Sequence, residues 1–499
     1  MKTRVFTFQA FICLFSSSLF SQSGSLDATF GAGGIAFTAV GTGRDDAQDM
    51  VIDANGKIVV VGFSAVTSTD FNFSASRFNS NGTIDLTFGT NGTAIINTGS
   101  GADEAYSVCL DASGRIYIAG LIWNGAIRNM GIVRLTSNGT PDNTWDGDGV
   151  WYSQTLYGEY LSDIAIDANG KIVVCGHGGL NDDKLIVLRL NSNATYDGTF
   201  GTGGKVEMGS TGNDEGVALA FDSNNRILVG GREEFTVIRL NTNGTADATF
   251  GTGGSITINP TSNSDELGDI TVDANGNIVV MGHGGLTLQA DYIAARLNPN
   301  GNLDNTFGNS GISIISAGVI QDQGRSVAID ANGRILLSGE STGPNGTDFS
   351  VVRLNTNGST DNSFGTNGIA ILSGLDPDNG YGMSIDLNGK ILVAGIGSPG
   401  NNTDFYVVRL NSSNATGIAG APWADEIRLY PLPFCDLLNM EGLTPGDVVQ
   451  LTDLTGKGVL YFTCTSSITA VDLSFLQPGI YFASFERSGR IENRKLVKI

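Results

Sequence analysis

The stretch Ile52-Asp53-Ala54-Asn55-Gly56-Lys57-Ile58 decides the fold, because the chain repeats it seven times with small variation. Its aspartate recurs at Asp53, Asp111, Asp167, Asp222, Asp273, Asp330 and Asp386, at spacings of 58, 56, 55, 51, 57 and 56 residues. A period of about 50 residues that holds several short strands is the mark of a propeller blade. At 499 residues, length alone would suggest about three domains. The repeat overrides that prior, since one closed ring absorbs most of the chain.

Each unit reads alike. In the sixth, Gly311 to Ile315 is a strand and Arg325 to Ile329 a second. Asn332-Gly333 then predicts a two-residue type I′ hairpin, in which both central residues need positive φ. Arg334 to Ser338 and Phe349 to Leu354 follow as third and fourth strands. The fourth unit carries Asn224-Asn225 at the turn, and Asn tolerates that conformation next best after Gly. Runs such as Ile58-Val59-Val60-Val61 are apolar at consecutive positions, which means burial on both faces. Blades sandwiched between neighbours meet that condition.

By analogy with other propellers, the strand ending in the repeated Asp is innermost and the Gly-Ile-x-Ile strand outermost. The last unit ends at Leu410 with no outer strand after it, whereas Gly34 to Val40 precedes the first inner strand. The expected architecture is therefore all-β. It is a seven-bladed propeller closed by the N-terminal strand, with no blade edge left unpaired at the seam.

A second phrase, Asp-x-Thr/Ser-Phe-Gly, opens at Asp27 and places aromatics at Phe30, Phe88, Trp145, Phe200, Phe250, Phe307 and Phe364. With it, residues 24 to 411 resemble the delta-60 repeat family of bacterial secreted and surface proteins. After a Ser/Asn/Gly/Ala-rich linker at 413–424, four motifs follow in order. They are Leu429-Tyr430-Pro431-Leu432-Pro433-Phe434, Leu451 to Lys457, Leu473 to Phe482, and Lys495-Leu496-Val497-Lys498-Ile499. Together they resemble the C-terminal sorting domain of the type IX (Por) secretion system of Bacteroidetes. Leu432 stands where that motif usually has Asn. The resemblance implies export to the outer cell surface or medium and a partner in the type IX machinery, through residues 425–499. Alternation in Val448 to Leu454 and Ile480 to Phe485 independently predicts a small β-sandwich there.

The N-terminus reads as a signal peptide over 1–21. Lys2 and Arg4 precede the apolar, Ser-rich stretch Val5 to Phe20, with cleavage expected after Ser21. The propeller then spans 22–412. Cys13 leaves with the signal, Cys109 and Cys175 sit in apolar strands as small core residues, and Cys435 and Cys464 could pair in an exported chain. No further stretch is long and apolar enough to span a membrane. A formal net charge of −22 disfavours nucleic acid and anionic membrane as partners and favours cationic ligands; it also serves solubility.

Candidate sites come from the columns of the repeat. Eight residues before each repeat Asp stand Asp45, Asp103, Glu159, Asp214, Asp265, Asp322 and Asp378. Seven carboxylates in the turn entering the innermost strand are expected to ring the channel on one face, where Ca²⁺ is the cation they would suit. The alternative is that each caps its turn by accepting backbone N–H bonds. His177 and His283 occur in the same Gly-His-Gly-Gly context, and the matching positions elsewhere are Phe63, Leu121, Arg232, Glu340 and Ile396. This variable position on a fixed scaffold, with His177, Arg232, His283 and Glu340, is where specificity could reside. Arg77, Arg134, Arg189, Arg239, Arg296, Arg353 and Arg409 read as structural partners of the Asp in the second phrase, on the opposite face.

No nucleophile elbow, phosphate loop or His-Glu-x-x-His occurs. The reading is a non-catalytic binding or adhesion propeller without an identified cofactor. The alternatives are an extracellular glycan hydrolase or lyase that uses the acidic face, and a structural surface-coat component. Trp123, Trp151, Tyr157 and Tyr160 form the modest aromatic group such a glycan site would use.

Overall fold

Why seven copies of one phrase make one ring follows from what each copy buries. The computed structural model describes residues 22–67, 69–99, 101–154, 158–178, 184–209, 215–232, 234–286, 289–344, 346–372, 379–397, 402–413, 428–430, 436–453, 457–466, 468–477, 479–487 and 490–498. The described chain falls into two compact units, Gln22–Ser413 and a C-terminal unit from Asn414. The signal peptide, most of the linker, Asp214, Asp378, Tyr157 and the Cys435 half of the Cys435–Cys464 pairing lie outside the described residues.

The first unit contains seven four-stranded antiparallel sheets. Blade 1 consists of Asp45–Ile52, Ile58–Thr67, Asp70–Phe78 and Thr93–Ile96, in that order from the axis outward. Blades 2 to 6 repeat the plan, beginning at Glu104, Glu159, Gly216, Asp265 and Gln321. Blade 7 joins Asn379–Ile385, Ile391–Gly397 and Asp404–Leu410 to the N-terminal strand Ile35–Thr38, with Ile35 opposite Val408 and Thr38 opposite Phe405. The chain is thus closed by its own beginning, and the sheets are offset by one strand from the sequence units. Consecutive apolar residues pack into the seams between blades: Val59, Val61, Phe73 and Ala75 of blade 1 cluster with Val108, Ile116 and Ile118 of blade 2. Cys175 is fully buried, and burial pushes the Cys109 and Cys175 thiols well above their ordinary range.

The hairpin turn differs from the expected type I′. Gly56, Gly114, Gly170, Asn225, Gly276, Gly333 and Gly389 have positive φ, but the residue before each does not. The repeat aspartate supplies the reason. Asp53 Oδ1 accepts the N–H of Asn55 at 2.8 Å and of Lys57 at 2.9 Å, and its carbonyl accepts Gly56 N–H at 2.9 Å. An Asp-capped turn followed by one left-handed residue results, the longer hairpin geometry.

The C-terminal end of each third strand carries a clamp. The seven arginines from Arg77 to Arg409 bond their aspartates at 2.7–3.1 Å. Each guanidinium also lies over the buried aromatic of the second phrase, at 4.5–5.4 Å from the ring centre. Each further donates to a carbonyl of the next blade, as Arg353 does to Ser412 and Arg409 to Ser80. These clamps occupy the face of the hairpin turns, since Lys57 beside the first turn reaches Asp85 at 2.6 Å.

The C-terminal unit packs a three-stranded sheet (Arg428–Tyr430, Leu437–Glu441, Ile468–Asp472) against a four-stranded one (Gly458–Thr463, Val448–Asp453, Gly479–Arg487, Arg490–Lys498). Leu438, Met440, Val449, Leu451, Leu473, Phe485 and Leu496 form the shared core, a small sandwich.

Candidate binding site at the mouth of the central channel

The innermost strands of adjacent blades touch all the way round, enclosing an axial channel. Each of these strands is bulged: in blade 1 the register shifts between Ala47 and Asp49, and the same shift recurs in every blade. The glycine across from the bulge makes this possible. A Cβ on Gly62 would sit 1.8 Å from the carbonyl oxygen of Asp46.

The bulge decides which side chains meet the axis. The five described carboxylates eight before the repeat Asp do not ring the channel mouth as expected. Asp45, Asp103, Glu159, Asp265 and Asp322 are 0–3% exposed and engaged locally. Asp45 accepts the N–H of Val40 at 2.7 Å and of Gly41 at 3.1 Å. Asp322 accepts Ala317 and Gly318 N–H, both at 2.7 Å. Asp103 accepts Trp123 N–H at 2.7 Å, and Asp265 accepts Thr261 N–H at 2.9 Å. Glu159 instead pairs with Lys205 at 3.5 Å. Asp45, Asp265 and Asp322 thus anchor the connection from the preceding outer strand through its amides, and Asp103 does so through the Thr98 hydroxyl. Burial pushes Asp45, Asp103 and Asp322 above the usual carboxylate range.

Of the variable column, Arg232 and His283 border the mouth, while His177 and Glu340 are buried. His177 stands opposite Tyr160, His283 opposite Glu266, and Glu340 opposite Gln323. Arg232 N–H donates to the Glu215 carbonyl at 2.9 Å. A run of polar and charged side chains crosses blades 3 to 7. His177 Nδ1 is 3.9 Å from Glu215, whose carboxylate grips Arg232. Arg232 Nη1 is 3.6 Å from Glu266, which lies 4.0 Å from His283 Nε2. Arg325 Nη2 reaches Gln323 at 2.5 Å and Glu340 at 3.5 Å, with the guanidinium over Tyr381. Burial, then the positive charge of Arg325, lowers the His283 pKa against the pull of Glu266, so the imidazole is neutral at pH 7. In the remaining blades the column is filled by buried Phe63, Leu121 and Ile396.

Two further columns of the innermost strand line the channel, and sequence reading missed them. Five before the repeat Asp stand Gln48, Tyr106, Ser162, Val217, Gly268, Arg325 and Tyr381. Four before it stand Asp49, Ser107, Asp163, Ala218, Asp269, Ser326 and Gly382. The signal was present as two columns that vary while their flanks repeat. Above them opens a cavity of about 330 Å³ bordered by Tyr106, Tyr160, Arg232, Glu266, His283 and Arg325.

The three aspartates stitch neighbouring blades. Asp49 Oδ1 accepts Met50 N–H at 2.7 Å, and Oδ2 accepts Val108 N–H of blade 2 at 2.9 Å. Asp163 binds Leu219 N–H at 2.6 Å and Asp269 binds Val327 N–H at 2.8 Å in the same way. Ser107 Oγ is 3.1 Å from Asp49 and 2.7 Å from Asp163. One hydroxyl proton cannot serve two carboxylates at once, so the geometry suits an Asp49 carboxyl that keeps its own proton. Their remaining exposure is to the narrow channel. Burial pushes Asp49 and Asp269 up to about 7, with the Asp163 charge adding to both, and Asp163 to about 6. Among the described residues, no three His, Cys, Asp or Glu side chains converge to hold a metal ion.

Fold and C-terminal domain together define an exported β-propeller. The chain carries repeats of the beta-propeller family described as a domain of unknown function (DUF5122), matched at 54–88, 112–144, 223–250, 274–307, 331–364 and 387–414. Residues 428–499 are a secretion system C-terminal sorting domain, which directs the chain through the type IX system to the cell surface or extracellular space. No curated protein matches the chain. Solved structures similar to it include a streptogramin B lyase (11% identity, 75% of this chain and 97% of that one, TM-score 0.48) and the virginiamycin B lyase of Staphylococcus aureus (11%, 75% and 98%, 0.46). Another is PorZ, a surface component of the type IX secretion system of Porphyromonas gingivalis (13%, 93% and 75%, 0.30).

Proposed function

We propose that the propeller is a non-catalytic binding or adhesion module that takes its ligand at the channel mouth, over blades 3 to 6. One observation carries this reading. The hairpin-turn face repeats the same arginine clamp in all seven blades, whereas the columns that differ between blades converge on the mouth. A scaffold that repeats everywhere except at one concave surface supports recognition there. The histidine–carboxylate approaches, at 3.9 and 4.0 Å, share their carboxylates with Arg232 and so favour a rigid network over a free acid–base pair.

The test is capture by the immobilised full chain on a glycan array and from secreted protein. R232Q/H283Q should abolish the ligands retained, while R115Q, at a hairpin turn on the opposite face, should leave them. Equal loss from both variants, or from neither, would remove the mouth from consideration.

A further inference from the structure

Buried hydrogen-bonding atoms without partners indicate what a cavity awaits. At the mouth, Arg325 Nε and Ser162 Oγ are both buried and have no hydrogen-bond partner among the described residues. Arg325 Nε–H can only donate, and the serine hydroxyl can donate. Both atoms therefore lack an acceptor among the described residues. Two guanidiniums border the cavity, Arg232 paired with Glu215 and Glu266, and Arg325, among the described residues, with Glu340 alone, at 3.5 Å.

Arg232 also borders a second cavity of about 270 Å³ along the seam between blades 3 and 4, with Leu185, Met208 and Ile238. Blade 4 has the shortest hairpin. Its second and third strands, Ile227–Gly231 and Thr236–Leu240, are five residues each, against seven to ten elsewhere. A ligand that fills the mouth can continue past Arg232 into this seam, so the site suits an oligomer better than a lone anion.

A peptide would need free strand amides to pair with. Along the channel those of Val108, Leu219 and Val327 are already donated to Asp49, Asp163 and Asp269. Bordering the cavity are instead the Gln48 amide, the Ser162 hydroxyl and the Tyr106 and Tyr160 rings, which match sugar hydroxyls and apolar sugar faces.

Resting on the mouth as the binding surface, we infer that the site takes an acidic oligosaccharide. A uronate carboxylate is held by Arg325 with Arg232, a sugar hydroxyl lies on Ser162, and the next residues run into the seam between blades 3 and 4.

The experiment is calorimetric titration of the full chain with tri- to hexasaccharides of galacturonate, mannuronate and hyaluronan. Neutral gluco-oligosaccharides and a poly-glutamate peptide serve as controls. At least one uronate series should bind, tightening with length, and R325Q and R232Q should each weaken it about tenfold or more, as for loss of a charge-assisted bond. R325K keeps the charge without the Nε donor and should also weaken binding, which covers a failure of R325Q to fold. Uronates binding no better than neutral sugars, or binding R325Q and R325K as they bind the parent, overturns the inference. Arg325-dependent binding of poly-glutamate alone replaces the sugar with an acidic peptide. If uronates fail while R232Q/H283Q still abolishes capture of another ligand, the ligand class falls and the mouth stands.

Discussion

Arg409 and Asp27 stand 382 residues apart in sequence and are joined at 3.1 Å, Nε to Oδ2. The bond repeats the clamp of the other six blades, but here it ties Asp404–Leu410 to the segment before the closing strand. Lys390 reaches the same carboxylate at 3.2 Å, and the Asn411 side chain donates to the Ser25 and Leu26 carbonyls. Closure is a multi-point clasp, and its loss exposes a full seam.

Deleting residues 22–40 should therefore leave Asp404–Leu410 as an open edge beside an exposed apolar face. The expected result is aggregation, or a stability loss of several kcal/mol of the kind seen for lost core burial. D27A alone, which strands the buried Arg409, should cost about 3–5 kcal/mol. Denaturant melts of both proteins check this, and an unchanged midpoint would mean the clasp carries no load.

The channel aspartates predict an unusual pH dependence. Their folded pKa values, about 7 for Asp49 and Asp269 and about 6 for Asp163, lie above the ordinary carboxylate value. A raised carboxyl pKa means stability that is present at low pH and lost as pH rises through 6 to 7. Discounted for contact with the channel, the loss is about 1–2 kcal/mol per group. Asp247 works the other way. Burial pushes it up, but bonds from Thr249 and the Arg239 charge outweigh that and hold it at about 2, so its contribution fades only in strong acid. The melting temperature should peak near pH 4–5 and fall toward pH 8. D49N should flatten the alkaline limb, and a parent curve rising from pH 5 to 8 would contradict a proton kept on Asp49 beside Ser107.

Much of this was legible in the sequence, and the reasons are specific. Sevenfold repetition made Asp53 and its counterparts visible, and an unpaired Gly34-to-Val40 strand announced the closure. The turn type was misread because Asn55-Gly56 looks like a type I′ pair, while the Asp53 side chain sets the actual geometry. Asp45 and Asp49 lie in one strand four residues apart, yet one caps a turn and the other meets the axis. Simple alternation cannot separate them, because the bulge after Ala47 resets the phase. The channel columns escaped for another reason: attention to what repeats hides what varies.

Turn carboxylates that bind amides should ignore calcium. Asp103→Asn, Asp265→Asn and Asp322→Asn should each cost up to about 1 kcal/mol, because Asn also accepts such bonds. Millimolar Ca²⁺ should leave the melting temperature of parent and variants unchanged. A Ca²⁺-dependent rise, lost in the triple variant, would make this ring a cation site.

Passage from the periplasm to the surface should depend on the C-terminal unit. Removing residues 425–499 should leave a folded propeller in the periplasm, detected by fractionation and protease protection. Normal surface delivery of the truncated chain would contradict the sorting role of that domain.

Hydrogen exchange with and without a captured ligand addresses the mouth itself. The account predicts new protection in the innermost strands of blades 3 to 6, around Tyr160–Ser162, Glu266–Gly268 and Gln323–Arg325, together with Arg232 and His283. The hairpin turns at Asp53, Asp111 and their counterparts should exchange as before. Protection confined to those turns, or to the outer strands, would place recognition elsewhere and contradict the account.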